Sequence, residues 1–254
     1  MYNRYSEIKK IRAKLRNGKV TLGTWIQIPS AAVAEIIGDA GYDWAAIDLE
    51  HGSMSTAQLP NLFRALELGC TVPLVRIAIG NAKEAKDALD AGAGGIIIPM
   101  IQSAKQLETI INDSCWPPNG KRGVGFSRAN LYGKNFDKYI KEAQRPLVIA
   151  QIENIKAVDE IIGILNVKDL DAIIIGPYDL SASMGLTSQF NHLDYLSALN
   201  RIRDACMEKS IPLGIHIVSP DEKELRETIK NNYQFIAYSI DAVFLNKSII
   251  NPLL

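Results

Sequence analysis

The sequence is poor in cysteine and lacks any long apolar run. Its three cysteines, Cys70, Cys115 and Cys206, are an odd number without C-x-x-C spacing, which predicts free thiols in a reducing cytoplasm. No stretch approaches the roughly 18 to 20 continuous apolar residues that span a bilayer, and residues 1–19 are charged throughout. We therefore expect no signal peptide and no membrane anchor.

A charge imbalance is absent as well. Lys and Arg number 28, as do Asp and Glu, so no excess charge favours nucleic acid or an anionic membrane as a partner. With 254 residues, of which 47% are hydrophobic, the chain can bury a large core, and this length is ordinary for a one-domain α/β barrel. We predict one domain over residues 1–254 and a small-molecule partner.

Several catalytic signatures are missing. No P-loop or G-x-S-x-G elbow occurs, and the first candidate strand is not followed by G-x-G-x-x-G, the signature of dinucleotide-binding sheets. The G-x-G in RGVGFSRAN at 122–130 follows a loop, so it is a weak nucleotide signal. No candidate strand contains a lysine or a zinc-spaced histidine pair, which argues against an imine-forming aldolase and a zinc enzyme.

What the sequence does contain is a regular alternation of apolar runs and amphipathic segments. The runs are rich in Val, Ile and Ala, as in parallel strands covered on both faces, and they span 20–28, 42–50, 72–78, 95–100, 147–153, 170–175, 212–218 and 235–240. Helical patterns span 31–40, 56–68, 82–91, 104–111, 196–209 and 221–230. We predict an α/β fold, a single (β/α)8 TIM barrel, in preference to a doubly wound sheet.

Three further expectations concern the connections. A helix over 4–16 is expected to close the bottom of the barrel, and two longer segments, 116–138 and 185–194, are expected on its C-terminal side, where active-site loops belong. Ser55 and Thr56 are expected to start the helix at 56–68, and Asp221 the one at 221–230.

Polar residues gather at the predicted C-terminal strand ends. The interior of a barrel is otherwise filled by apolar side chains, so polar groups there indicate a site. The polar residues are Trp25, Gln27, Asp48, Glu50, His51, Arg76, Gln151, Glu153, Asp179 and His216.

Two of these carboxylates suit a metal ion. Glu153 and Asp179 follow adjacent strands, and such oxygen ligands, completed by water and substrate oxygens, fit Mg2+ or Mn2+. The alternative is that each carboxylate caps the helix that follows it.

His51 and Arg76 suggest proton transfer and anion binding. His51 follows two carboxylates in AAIDLEHG and can exchange a proton near neutral pH, although a strand-end histidine can equally be a satisfied hydrogen-bonding residue. Arg76 lies within an apolar strand and needs an anion. That anion is either a substrate or a structural partner, Asp48 or Glu50.

Eight motifs in order carry a family resemblance: LGTW (22–25), AGYDWAAIDLEHG (40–52), VPLVRI (72–77), LDAGAGGIIIPMIQS (89–103), KRGVGFSRA (121–129), IAQIEN (149–154), IIGPYDLSASMG (174–185) and GIHIVSPD (214–221). In these motifs the chain resembles the metal-dependent (class II) pyruvate aldolases of the HpcH/HpaI type, which include 4-hydroxy-2-oxoheptanedioate and 2-dehydro-3-deoxyglucarate aldolases.

The resemblance implies a role for each site residue. Glu153 and Asp179 would bind the divalent ion, Mg2+, Mn2+ or Co2+. His51 and Asp90 would form a base dyad, within a chain or across a subunit boundary, and Arg76 would hold the pyruvate oxygen. The implied pocket residues are Trp25, Gln151, Gly176, Pro177 and Tyr178. Separately from the resemblance, we expect His216, Ser127, Arg128 and the 185–194 loop on the aldehyde side of the pocket.

The implied reaction is reversible cleavage of a 4-hydroxy-2-oxo acid to pyruvate and an aldehyde through a metal-stabilised enolate. The resemblance also implies a homo-oligomer, with a hexamer expected. Alternatives on the same scaffold are a citryl-thioester lyase, an oxaloacetate decarboxylase or a macrophomate synthase-like enzyme, and, outside enzymes, a barrel that only binds a 2-oxo acid. The identity of the aldehyde depends on loop contacts that a sequence does not specify.

Overall fold

The computed structural model describes residues 2–253, and its eight strands form one closed, parallel barrel in sequence order. Each strand pairs with the next one in the chain, and the last pairs with the first. The predicted (β/α)8 barrel is therefore confirmed. The strands are β1 (Thr21–Ile26), β2 (Trp44–Asp48), β3 (Val72–Arg76), β4 (Gly95–Ile98), β5 (Leu147–Ile152), β6 (Ala172–Ile175), β7 (Leu213–Ile217) and β8 (Phe235–Ile240).

Helices surround the barrel and close its bottom. They are α1 (Arg4–Arg16), α2 (Ala31–Asp39), α3 (Leu59–Leu68), α4 (Ala82–Ala91), α5 (Ala104–Ser114), α6 (Phe136–Ala143), α7 (Ile155–Asp159), α8 (Ile161–Leu165), α9 (Pro177–Ser183), α10 (Leu193–Lys209), α11 (Glu222–Lys230) and α12 (Asp241–Ser248). The predicted bottom helix is α1, whose Ile8, Ile11 and Leu15 pack against the barrel interior. From residue 2 to residue 253, no helix has the length and apolar character that a bilayer crossing requires.

The barrel interior changes character along its axis. At the base, the rings of Trp44 and Phe235 stack with centroids 4.2 Å apart. Gly23 makes room for them, because a Cβ at this position would lie 2.1 Å from the Trp44 ring. At the C-terminal ends of the strands the buried side chains become polar, with Asp48 and Arg76 among them. The fold thus has an apolar base and a polar mouth.

Two helix starts test the capping predictions. Asp221 caps α11 as predicted, since its Oδ1 accepts hydrogen bonds from two backbone N–H groups of the first turn. Helix α3, however, begins at Leu59 instead of residue 56. Pro60 lies in its first turn, where the N–H that proline lacks has no helical partner to lose.

The prediction for segment 116–138 was wrong. This segment follows α5 and leads into β5, so it lies at the N-terminal end of the barrel, opposite the mouth. Its Arg128 donates hydrogen bonds to the carbonyl of Ala91, at the end of α4, and to Glu67, near the end of α3. Ser127 and Arg128 therefore do not line the aldehyde side of the mouth of their own barrel. Segment 185–194 does follow β6 on the C-terminal side, between α9 and α10.

Candidate active site

A buried ion pair joins the ends of β2 and β3. Asp48 and Arg76 are paired in the strand register, and Arg76 donates to Asp48 from Nε (2.9 Å) and Nη2 (2.6 Å). Gln27 adds a third hydrogen bond to Asp48 at 2.8 Å. Burial alone would raise the pKa of Asp48, but the hydrogen bonds and charge of Arg76 lower it below its ordinary value. Arg76 is thus paired with a carboxylate of its own chain, Asp48. This is the structural ion pair that the sequence analysis gave as the alternative to a substrate anion.

The loop after β2 carries two more ionisable groups to the mouth. Asp48 Oδ1 accepts the backbone N–H groups of Glu50 (3.1 Å) and His51 (3.2 Å), which folds the loop over the ion pair. Glu50 Oε2 then lies 3.3 Å from Arg76 Nη1 and 4.0 Å from His51 Nε2. The side chain of His51 is 58% exposed, so its imidazole is accessible from the mouth.

An aromatic layer lies beneath the ion pair. The guanidinium carbon of Arg76 is 4.5 Å from the centre of the Trp25 ring, a cation–π distance, and the ring of His216 meets Trp25 edge-on at 5.7 Å. Burial, and then the charge of Arg76, lower the pKa of His216 to about 4. His216 is therefore a neutral hydrogen-bonding group at physiological pH and a poor proton carrier.

Glu153 follows β5 and is 1% exposed. Its Oε1 accepts the backbone N–H of Met100, and its Oε2 accepts Gln151 Nε2, both at 2.6 Å. Burial raises the pKa of Glu153 to about 7; the hydrogen bond from Met100 opposes this shift, and the charges of Glu50 and Asp179 reinforce it. A Cβ at Gly176 would lie 2.7 Å from Glu153 Oε2, so glycine is needed at the end of β6.

Asp179 faces the same space from the first turn of α9. Its charge acts on both Glu50 and Glu153, so the three carboxylates share the mouth. The N-cap of α9 is Gly176, and the helix after Glu153 is capped by Asn154. Neither Glu153 nor Asp179 is a helix cap, and the alternative that the sequence left open for them is not what the fold shows.

The donor set at the mouth fits a hard divalent cation. Carboxylate oxygens are the ligands that Mg2+ prefers, and Mg2+ often takes only one or two of them while water and substrate complete its shell. Over residues 2–253 no group of three or more His, Cys, Asp or Glu side chains is arranged to enclose a metal.

Asp90 lies elsewhere in the chain. It is in the last turn of α4, at the N-terminal end of the barrel, where its carboxylate is 3.2 Å from Lys86 Nζ and 3.8 Å from Arg122 Nη1. His51 lies at the opposite end. The two do not pair within one chain, and their dyad stays a prediction that requires a second subunit.

Glu50 was the least anticipated member of the site. The sequence placed it among the polar strand-end residues and as an alternative ion-pair partner of Arg76, without a role in the reaction. Its spacing of two from Asp48 is the signal that could have placed both on one face of an extended chain. The contribution of the Met100 backbone, by contrast, has no sequence signal, because any residue supplies an N–H.

Comparisons with known proteins identify the family of the chain. The model of the HpcH/HpaI aldolase/citrate lyase family matches residues 21–252. A 4-hydroxy-2-oxovalerate aldolase from Novosphingobium aromaticivorans is 36% identical over 92% of the chain and 89% of the relative. A hydroxypyruvate/pyruvate aldolase from Roseobacter denitrificans is 31% identical over 94% and 93%. The structure of an HpcH/HpaI aldolase/citrate lyase family protein from Burkholderia cenocepacia superposes with a TM-score of 0.88 at 29% identity, covering 94% of this chain and 95% of that one.

Proposed function

Because the chain belongs to the HpcH/HpaI aldolase/citrate lyase family, we propose that it is a class II aldolase that reversibly cleaves a 4-hydroxy-2-oxo acid to pyruvate and an aldehyde. The observation that carries the proposal is the cluster at the mouth. There the buried carboxylate of Glu153, which forms no ion pair with any side chain of residues 2–253, lies with Asp179 and Glu50 beside the Asp48–Arg76 pair.

Glu153 and Asp179 are the residues that would hold the metal ion, Mg2+, Mn2+ or Co2+. The raised pKa of Glu153 reflects burial together with neighbouring negative charge, a condition that a cation relieves. When bound, the ion supplies positive charge to the carboxylate and keto oxygens of a 2-oxo acid and stabilises negative charge that develops there. Gln151 supports this role by holding Glu153 in place.

Arg76 retains donors for the substrate. A guanidinium has five N–H groups, and Asp48 accepts one from Nε and one from Nη2. The other N–H of Nη2 and those of Nη1 remain available to the 2-oxo oxygen, subject to the contact with Glu50. Because Asp48 fixes the plane of the guanidinium, Arg76 can stabilise developing charge without reorganising.

His51 is the proposed base. As the C3–C4 bond breaks, its imidazole accepts the proton of the 4-hydroxyl group, the aldehyde leaves, and the electron pair moves toward the 2-oxo group. C3 then takes up a proton to give pyruvate. The proposed pocket around these groups comprises Trp25, His216 and the turn of Gly176, Pro177 and Tyr178.

A substrate panel tests the function. Purified protein is incubated with several 4-hydroxy-2-oxo acids and Mg2+, Mn2+ or Co2+, and pyruvate and aldehyde are measured separately. We expect both products in equal amounts, their loss on chelation and their return with metal. Full activity after chelation would rule out the metal role. Formation of pyruvate from oxaloacetate alone, without an aldehyde product, would identify a decarboxylase instead. If no substrate were turned over, the result would favour a barrel that only binds a 2-oxo acid.

We further propose a homo-oligomer, with a hexamer expected, in which Asp90 of one subunit reaches His51 of another. Asp90 adjoins a segment at the base whose side chains are exposed and apolar, including Phe126 at 74% and Tyr132 at 68% exposure. Exposed apolar groups of this kind are typical of protein interfaces.

Mixing two inactive variants tests this arrangement. If Asp90 acts across a boundary, His51→Ala and Asp90→Ala subunits that are co-refolded should regain activity, because some sites then combine two intact residues. Continued inactivity of mixed oligomers would contradict it. Light scattering measures the oligomeric state of the same samples.

A further inference from the structure

Glu50 lies at the mouth of the barrel, but it has no role in the proposed binding of the metal and substrate or in the proposed proton transfer. Its Oε2 is buried and accepts no hydrogen bond within the part of the chain that the structure describes. Burying a charged oxygen without a hydrogen bond is costly, and such groups concentrate at functional sites. The two cationic or potentially cationic groups nearest to this oxygen are Arg76 and His51.

The position of Glu50 follows from Asp48. One oxygen of Asp48 holds the backbone of both Glu50 and His51, while the same carboxylate binds Arg76 from Nε and Nη2. Both oxygens of Asp48 therefore already accept hydrogen bonds from other groups. Glu50 meets the remaining nitrogen of Arg76, Nη1, at 3.3 Å and His51 Nε2 at 4.0 Å.

We propose that Glu50 is a positioning residue that acts through His51 and Arg76: its carboxylate links the two groups and orients them toward the substrate. This inference rests on the proposed function and deepens it. When His51 accepts the proton of the 4-hydroxyl group, the ring becomes a cation beside the Glu50 carboxylate. The opposite charge stabilises that protonated ring during C3–C4 cleavage.

The link lies within a single chain. Asp90, the other carboxylate considered for His51, is at the opposite end of the same barrel. Glu50 orients the imidazole whatever the oligomeric state. It also keeps Arg76 Nη1 from turning away from the mouth, since the guanidinium is then held on both sides.

Glu50→Gln tests the charge at nearly constant shape. At saturating metal we expect kcat for aldol cleavage to fall about 10- to 100-fold, the range seen when a group that orients an active-site ligand is removed. KM should change less than about threefold, because the proposed role gives Glu50 no direct contact with the substrate. Glu50→Asp retains the charge on a shorter side chain and should recover part of kcat. Glu222→Gln, which removes an exposed carboxylate from α11, is the matched control and should behave as wild type.

Two results would overturn the proposal. One is a kcat for Glu50→Gln within about twofold of wild type. The other is a loss confined to KM, which would make Glu50 a support for substrate binding alone. Circular dichroism and thermal melting establish that each variant is folded before its kinetics are compared.

A readout without turnover separates this proposal from the proposed function. The chain has three histidines, so their ring C–H signals in metal-free protein can be assigned with His51→Gln and His192→Gln. Glu50→Gln should shift the His51 signal at fixed pH and leave the His192 signal unchanged. An unmoved His51 signal would refute the contact. If wild type cleaved no 4-hydroxy-2-oxo acid, the proposed function would fail, and this spectrum would still decide the role of Glu50.

Discussion

Two buried carboxylates lie at opposite ends of the barrel in opposite electrostatic settings. Asp171, at the base just before β6, accepts two hydrogen bonds from Arg12, two from Arg145 and one from the backbone of Val148. Among residues 2–253, Glu153, at the mouth, accepts hydrogen bonds only from an amide side chain and a backbone N–H. Asp171 is therefore in direct contact with two arginines, whereas within residues 2–253 no cationic side chain forms an ion pair with Glu153, and Arg76 acts on it only from a greater distance.

The pKa shifts express this difference. Burial alone would raise the pKa of both groups. At Asp171 the charges and hydrogen bonds of Arg12 and Arg145 reverse that effect and lower the pKa, whereas at Glu153 burial prevails and raises it to about 7. A carboxylate with its counterions in the fold stabilises the fold, and one without them is suited to a cation from outside.

The largest expected effect comes from removing the Glu153 charge. Glu153→Gln should lower metal-dependent pyruvate release at least about 1,000-fold, comparable to the loss of a strong electrostatic interaction in other active sites. Stability should fall by no more than about 1 kcal/mol, because removing a buried charge offsets the one hydrogen bond that the amide NH2 group cannot accept. Coupled kinetics and urea unfolding of the same preparation measure both quantities. A variant that lost stability and activity together would show that Glu153 is structural like Asp171.

The reverse pattern is expected at the base. Asp171→Asn leaves the buried Arg12 without its carboxylate partner, while Arg145 keeps its ion pair with Asp169. The substitution should destabilise the protein by about 3 kcal/mol, with little change in kcat per folded molecule. Chemical denaturation measures the loss, and Asp204→Asn on the exposed side of α10 is the control. A large fall in kcat with normal stability would contradict the view that the base of the barrel stabilises the fold and that only the mouth is functional.

The pH dependence of this contribution has a definite sign. Because the pKa of Asp171 is lowered in the folded state, its stabilisation is complete above the unfolded pKa of about 3.9. It is lost as the pH falls through the lower folded value. Asp171→Asn should therefore flatten the acid side of the stability profile, which denaturation curves at several pH values would reveal.

The sequence predicted the base and the mouth unequally. Strand and helix positions follow from apolar periodicity, and all eight predicted strands overlap the observed ones. Segment 116–138 was assigned to the wrong end because its length suggested an active-site loop, although it follows α5. A segment that leaves a helix returns to the N-terminal end, and this connectivity outweighs length.

At the mouth, residue types were easier to predict than partners. Glu153, Asp179, His51 and Arg76 could be selected because polar groups at strand ends have no packing role. Asp48 accepts hydrogen bonds from both Nε and Nη2 of Arg76 because the strand register places the two residues side by side. They are distant in sequence, so the sequence alone does not predict this pairing. Within the described residues, Glu50 Oε2 accepts no hydrogen bond because of the geometry of its loop, and no sequence pattern predicts that geometry.

A smaller effect should follow from loosening Glu153 without removing it. Gln151→Leu deletes the amide that donates to Glu153 Oε2 and should weaken metal binding about 10-fold, as for other residues that hold a metal ligand in place. Mn2+ binding followed by calorimetry measures this. Gln144→Leu, which removes an amide at the opposite end of the barrel, should leave the affinity unchanged, and an equal loss in both variants would indicate a general change in the fold.

The smallest expected effect contrasts two tryptophans. Trp25 lies under Arg76 at the mouth, and Trp44 stacks on Phe235 at the base. Trp25→Phe retains an aromatic ring but weakens the cation–π contact by about 1 kcal/mol, so we expect kcat/KM to fall about fivefold with little loss of stability. Trp44→Phe leaves a cavity among apolar side chains and should lower stability while kcat/KM stays the same. If Trp25→Phe instead lowered stability and spared kcat/KM, the aromatic layer at the mouth would belong to the core, and the functional region would begin only above Arg76.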